Sequence, residues 1–116
     1  MVIVDSSVWI DFLNRKQTPQ TGWLRSAMAG GNIGLTTLVL TEVLQGIRFE
    51  NRFRAAEQLF LTMSVFEIVS VSLAAHAARN YRALRARGVT VHSTVDCLVA
   101  TFCIQNGHRL LHCDAD

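Results

Sequence analysis

The segment Val2-Ile3-Val4-Asp5-Ser6-Ser7-Val8-Trp9-Ile10 joins three β-branched apolar residues to an acid, two hydroxyl residues and a second apolar stretch. The triplet reads as a short buried strand and Val8 to Leu13 as a helix, with Asp5-Ser6-Ser7 suited to capping its first turn. The alternation recurs along the chain. Short apolar runs bounded by polar residues or glycine stand at Ile33-Gly34-Leu35, Val65-Phe66-Glu67-Ile68-Val69 and Leu110-Leu111. The segments between them are too long for hairpins and carry a helical period: Phe53, Ala56, Phe60 and Met63 in one, Leu73, Ala77, Tyr81 and Leu84 in another. Strands alternating with helices predict an α/β fold around a central, mainly parallel sheet.

Boundary residues support these elements. Ser72 precedes the Leu73 helix and Gly88 follows it; Ser93 opens another helix that Asn106-Gly107 ends in the left-handed conformation. Thr36-Thr37 caps a helix from Leu38 to Gln45 that weakens at Gly46, and Asn14 to Thr21, around Pro19, marks a loop between two early helices. No repeat, low-complexity tract or linker interrupts the chain, so residues 1–116 are expected to form a single domain.

The 116 residues are 50% hydrophobic, a composition that excludes disorder. No apolar run approaches the roughly 18 residues needed to cross a bilayer, and the N-terminus shows neither a secretory nor a transit pattern. Three cysteines, Cys97, Cys103 and Cys113, form an odd set without a C-x-x-C pair. A reducing, cytoplasmic setting is expected.

The net charge of +2 conceals an uneven distribution. Asp5, Glu42, Asp96, Asp114 and Asp116 fall at or near strand ends and helix starts; outside them, 11 basic residues face only Asp11, Glu50, Glu57 and Glu67, and all the bases but Lys16 are arginine. Arginine is the better phosphate fork. A basic exterior attracts a polyanion, and an acidic cluster within it repels that polyanion unless a cation intervenes.

Ligands of open parallel sheets bind beyond the carboxyl ends of the strands. Asp5 follows the first strand, Asp114 and Asp116 follow the last, and Asp96 lies in the first turn of the helix opened by Ser93. Right-handed crossovers bring these positions to one sheet edge. Glu42 stands within the apolar stretch Leu38-Val39-Leu40-Thr41-Glu42-Val43-Leu44, where an ionisable group is costly unless paired or bound to metal. Taken singly, each acid also has a structural role open to it: Asp5 and Asp96 as helix-capping residues, Glu42 on a solvated face, Asp114 and Asp116 in a surface turn. Gathered at one edge, they would repel one another without a cation.

Three stretches carry a family resemblance: Val2-Ile3-Val4-Asp5-Ser6-Ser7-Val8-Trp9-Ile10, then Thr41-Glu42-Val43-Leu44-Gln45-Gly46, and finally Val95-Asp96-Cys97-Leu98-Val99-Ala100 with Leu110-Leu111-His112-Cys113-Asp114-Ala115-Asp116. In order and spacing the chain resembles the PIN-domain ribonucleases, most closely the VapC toxins of bacterial toxin-antitoxin pairs. The resemblance implies a three-layer α/β/α PIN-like fold whose acidic pocket binds Mg²⁺ or Mn²⁺ and cuts RNA. By motif position Asp5, Glu42, Asp96 and Asp114 correspond to the family's acidic quartet, with Asp116 an optional further acid, and Ser7 matches a small hydroxyl residue that often lines the pocket. A cognate VapB-type antitoxin lying along a groove of the toxin and a homodimer are further implications. Family members usually continue beyond the last acids with a Phe and an edge strand that this sequence does not carry.

Hard cations prefer carboxylate oxygens and water, which suits Mg²⁺ or Mn²⁺ better than Zn²⁺. On this basis Asp5, Asp96 and Asp114 are the expected metal ligands, and Glu42 orients or deprotonates the attacking water. Arg79, Arg82 and Arg85 recur every three residues opposite the apolar face of their helix, either as a solvated face or as a phosphate track. His108 and His112 with Cys113 suggest zinc at first sight, but the segment passes from helix to strand, so its spacing does not place both imidazoles on one helical face. His76 and His92 have no evident partner. Trp9, Phe12 and Trp23 are expected in the core or at subunit contacts, and the apolar early helices exceed the needs of a small core, which points to a partner.

A signalling receiver domain would need an acidic pair after the first strand and a lysine after the last. A haloacid-dehalogenase-type phosphatase would need a second Asp where Ser7 stands. The alternative that survives is a catalytically inactive PIN-like module binding RNA or protein.

Overall fold

The architecture is that of a computed structural model, which describes residues 1–91 and 93–113. Strand β1 (Val2–Val4) leads into α1 (Ser6–Leu13) and α2 (Pro19–Met28); β2 (Ile33–Thr36) is followed by α3 (Thr37–Gln45) and α4 (Glu50–Leu61); β3 (Ser64–Phe66) by α5 (Val71–Ala86) and α6 (Thr94–Asn106); and β4 (Arg109–Leu111) comes last. The four strands pair in parallel in the order β3-β2-β1-β4. Register matches Ile3 with Gly34 and with Leu110, and Val4 with Leu111. The central strands β1 and β2 are wholly buried, while β3 and β4 are partly open. That gradient explains their sequences: the inner strands are apolar throughout or close with a buried Thr36, whereas the edges tolerate Ser64 and Arg109.

Helices α1 to α4 pack as one connected group and α5 packs on α6, giving the expected α/β architecture of helices around a parallel sheet. Trp9, Phe60, Ile3, Leu24 and Leu35 anchor the core. The Trp9 indole meets Phe60 and Phe12 edge to face, with centroids 5.0 and 5.9 Å away, a geometry that adds dispersion and quadrupole attraction to area burial. Trp9 and Phe12 thus join the core, whereas Trp23 and Ile10 are 41% and 42% exposed. Among the described residues no helix is long and apolar enough to cross a membrane.

Three local expectations shift. The third strand covers Ser64–Phe66 rather than residues 65–69, because its ladder with β2 ends at Thr36 opposite Phe66, where β2 itself turns into the cap of α3. Ile68 still enters the core, but Val69 is 71% exposed. The cap of α5 is Ser70, not Ser72: Ser70 Oγ accepts from the Leu73 amide at 3.0 Å, so the helix begins earlier than its apolar period implied. The loop after α1 is also shorter. Thr18 and Thr21 exchange side-chain and backbone hydrogen bonds as a capping box, with Pro19 at the first helical position. Thr21 stands where such boxes usually carry Glu or Gln.

Three caps follow the sequence. Thr36 Oγ1 accepts from Val39 N, Ser93 Oγ accepts from Asp96 N, and Gly107 closes α6 at φ 68°.

Candidate active site

Asp5 ends β1 and opens α1, at the point where the sheet order turns back so that β2 and β4 flank β1 on either side. Its amide donates to Leu111 O at 2.9 Å, extending the β1–β4 ladder, and its carbonyl accepts from Val8 N and Trp9 N as α1 begins. Its carboxylate makes no cap bond to the helix amides. Instead, Ser7 Oγ donates to Asp5 Oδ2 at 3.0 Å, and Ser7 Oγ accepts from the Cys113 amide at 3.2 Å. One hydroxyl therefore ties the acid after β1 to the residue that precedes Asp114.

Asp5 is only 4% exposed. Its carboxylate reaches Cys103: burial first, and then the Asp5 carboxylate, push that thiol up to about 11. Cys103 and Cys97 are buried free thiols.

Asp96 stands in the first turn of α6, with its amide held by Ser93. Asp5 and Asp96 line a common cleft of about 1210 Å³, whose other walls include Asn80, Leu84, Arg87, Ile104 and His112. Two acidic residues separated by 91 positions of sequence thus line the same cleft. Glu42 lies on α3, which packs against both α1 and α6. It is partly buried, with Oε1 shielded from solvent, and is not among the described residues that line this cleft. Asp114 and Asp116 lie outside the described residues. Among the described residues no three His, Cys, Asp or Glu side chains form a group able to hold a metal ion.

The two acids of the cleft are of a type that suits a hard cation. Asp5 supplies a buried carboxylate whose hydrogen-bond donor is a neutral hydroxyl, and a buried anion so lightly compensated favours a nearby positive charge. Two carboxylates without a cysteine-rich or histidine-rich set match Mg²⁺ or Mn²⁺ rather than a soft metal. The histidines are divided: His108 packs at a tilt against Phe66 and Phe102, with ring centroids 5.6 and 5.4 Å away, whereas His112 lies on the cleft. His76 is exposed, and His92 lies outside the described residues.

Arg79, Arg82 and Arg85 are exposed on α5 and line a shallow surface groove with Ala83 and Ala86. No Asp or Glu occurs between Glu67 and Asp96, and the ion pair found among the described residues, Arg54 with Glu50, lies elsewhere. Asn80 and Thr101, on facing helices of the cleft, were not foreseen. Their only sequence signal is an Asn in a helix interior, where its propensity is poor.

The PIN domain family model matches residues 2–116. The chain belongs to the PIN domain family. Among curated relatives, this PIN domain is similar to ribonuclease VapC11 of Mycobacterium tuberculosis and to a VapC ribonuclease of Mycobacterium bovis. Each is 28% identical over 118 residues, covering 100% of this chain and 88% of the relative. Among solved structures, its fold is similar to VapC20 of Mycobacterium tuberculosis, a sarcin-ricin loop cleaving toxin. The TM-score is 0.77 at 18% identity, covering 100% of this chain and 92% of the other. The VapBC2 complex of Rickettsia felis, bound to a promoter DNA fragment, superposes with a TM-score of 0.75 at 16% identity, covering 95% and 85% of the two chains. The expected PIN-like fold is therefore the observed one.

Proposed function

We propose that this PIN domain is a Mg²⁺- or Mn²⁺-dependent endoribonuclease toxin that inhibits translation by cutting RNA and is neutralised by a cognate VapB-type antitoxin. The observation that carries the proposal is the convergence of Asp5 and Asp96 on one cleft in a chain similar along its whole length to VapC ribonucleases. Asp5, Asp96 and Asp114 are the proposed ligands, and the ion, when bound, supplies an acidified water and charge neutralisation at the phosphate.

The chain's own groups do the rest. Ser7 fixes the rotamer of Asp5, and the turn capped by Ser93 fixes the backbone of Asp96. Glu42, on the helix that packs on both α1 and α6, orients the attacking water and accepts its proton as the water oxygen bonds to phosphorus and the P–O3′ bond opposite breaks, the 3′ oxygen taking a proton from solvent. The exposed arginines of α5 draw the RNA backbone toward the acidic cleft. The proposed setting is the cytoplasm, and the proposed assembly is a homodimer.

Incubation with total RNA, with Mg²⁺ or Mn²⁺ and with an EDTA control, tests this function. Cleavage that needs the ion, and that Asp5→Asn and Asp96→Asn each abolish while circular dichroism remains native, supports it. Cleavage retained by both variants refutes the residue assignment. RNA binding by wild type without any cleavage identifies a catalytically inactive binding module instead.

A further inference from the structure

We propose that the cleft wall between α5 and α6 reads one RNA base beside the cut, with Asn80 Oδ1 accepting from the exocyclic amino group of adenine or cytosine. This inference rests on the nuclease reading for the presence of RNA in the cleft. Asn80 lies on the α5 wall of the cleft that also contains Asp5 and Asp96. Its Nδ2 donates to Thr101 Oγ1 at 3.1 Å. Thr101 is buried, and its hydroxyl donates to Cys97 O at 2.7 Å. A hydroxyl has one proton, so toward Asn80 this one acts as an acceptor. The amide is thereby locked with Nδ2 inward. Oδ1, to which no described residue donates, is the atom left for the cleft.

The surrounding surface fits a base. Leu84, Val89 and Ile104 line the same cleft and are exposed at 36%, 48% and 76%. They offer apolar faces to a ring that has left its stack, while a fixed polar atom reads its edge, as in other pockets for unstacked bases. Thr101 follows Asp96 by five residues on α6, about 7.5 Å along the helix axis, within reach of a nucleotide whose phosphate sits at the acids. Adenine and cytosine carry an amino group where guanine and uracil carry a carbonyl. Meeting the base at its purine C6 or pyrimidine C4 substituent, Oδ1 attracts the first pair and faces lone pair to lone pair with the second. A freely rotating amide would accept either, so the Thr101 lock gives the site its preference.

The test sequences the new 5′ ends produced from a randomised single-stranded RNA pool by wild type, Asn80→Ala and Thr101→Val. The expected wild-type profile shows adenine and cytosine enriched about three- to tenfold at one position within a nucleotide of the cut. Asn80→Ala loses the enrichment at that position alone. Thr101→Val keeps Asn80 but frees its amide, so the preference flattens while the cut position stays. No amino-base preference in wild type, or its persistence in Asn80→Ala, overturns the proposal. A second measurement needs no cleavage: equilibrium binding of oligoadenylate and oligouridylate by Asp96→Asn protein in EDTA, with and without Asn80→Ala. An adenylate preference lost on adding Asn80→Ala upholds base reading even where no RNA is cut, a result that sinks only the nuclease. Equal binding of the two oligomers overturns base reading.

Discussion

Replacing Ser7 with alanine removes the hydroxyl on which two parts of the site depend. The Asp5 carboxylate, 4% exposed, loses its 3.0 Å donor, and the Cys113 amide loses its 3.2 Å acceptor. A hydrogen bond to a charged group contributes about 1.5–3 kcal/mol and a neutral one about 1 kcal/mol, so the combined loss is about 3 kcal/mol. With a urea m-value of about 1.5–2 kcal/mol/M for a domain of this size, the midpoint falls by roughly 1.5–2 M. The measurement belongs in EDTA, where no ion can restrain the carboxylate. Ser7→Thr keeps the oxygen and should stay within about 1 kcal/mol of wild type.

In the cleavage assay Ser7→Ala should need roughly 10- to 100-fold more Mg²⁺ or Mn²⁺ for half-maximal rate, as when support for a ligating side chain is lost. A double-mutant cycle with Asp5→Asn isolates the coupling, expected at about 1.5 kcal/mol or more. A Ser7→Ala protein with an unchanged midpoint and an unchanged metal requirement would show that the hydroxyl neither holds Asp5 nor tethers the segment after β4.

Gly34 faces the backbone oxygen of Ser64 at 2.9 Å and the Met1 sulfur and Phe66 ring at 3.0 Å from where a Cβ would sit; Gly34→Ala should cost about 2 kcal/mol or more in urea unfolding, and a neutral substitution would contradict that packing. Combined Arg79→Ala, Arg82→Ala and Arg85→Ala should reduce the slope of log affinity against log salt for single-stranded RNA by about 2, and an unchanged slope would reassign the stripe to ordinary surface. The folded state holds the Cys103 proton up to about pH 11, against 9.0 for the free thiol. The thiol's contribution to stability is therefore whole below pH 9 and is lost as pH rises toward 11. The difference in unfolding free energy between wild type and Cys103→Ala should shrink by on the order of 2 kcal/mol across that window, and a flat difference would refute it.

Most of the fold is legible because its signals are local. Val2-Ile3-Val4 and Ile33-Gly34-Leu35 read as strands from apolar content alone, and Thr36, Ser93 and Gly107 mark helix ends through bonds spanning three to five residues. The misplaced boundaries have an equally physical origin. Apolar character continues through Ile68 and Val69, but a strand lasts only as long as its partner, and β2 ends at Thr36. Thr18-Pro19-Gln20-Thr21 opens a helix through a threonine doing the work usually given to glutamate.

The acids are legible for a different reason: charge within apolar sequence is costly, so Asp5 and Glu42 stand out wherever they end up in space. What holds Asp5 is another matter. The bond from Cys113 to Ser7 spans 106 residues and exists because β4 lies beside β1 with Leu111 opposite Val4. A slip of one residue between these strands would turn Leu110 and Leu111 to opposite faces and carry the Cys113 amide away from Ser7. The burial of β1 and the packing of Leu110 and Leu111 against the core specify that register, so the core, rather than any residue of the site, determines how closely the chain leading to Asp114 approaches Asp5. The same holds for Asn80, whose amide acquires a direction only because α5 packs on α6 and brings Thr101 to it. Residue types announce the chemistry, whereas the orientations that make it selective come from contacts between elements distant in sequence.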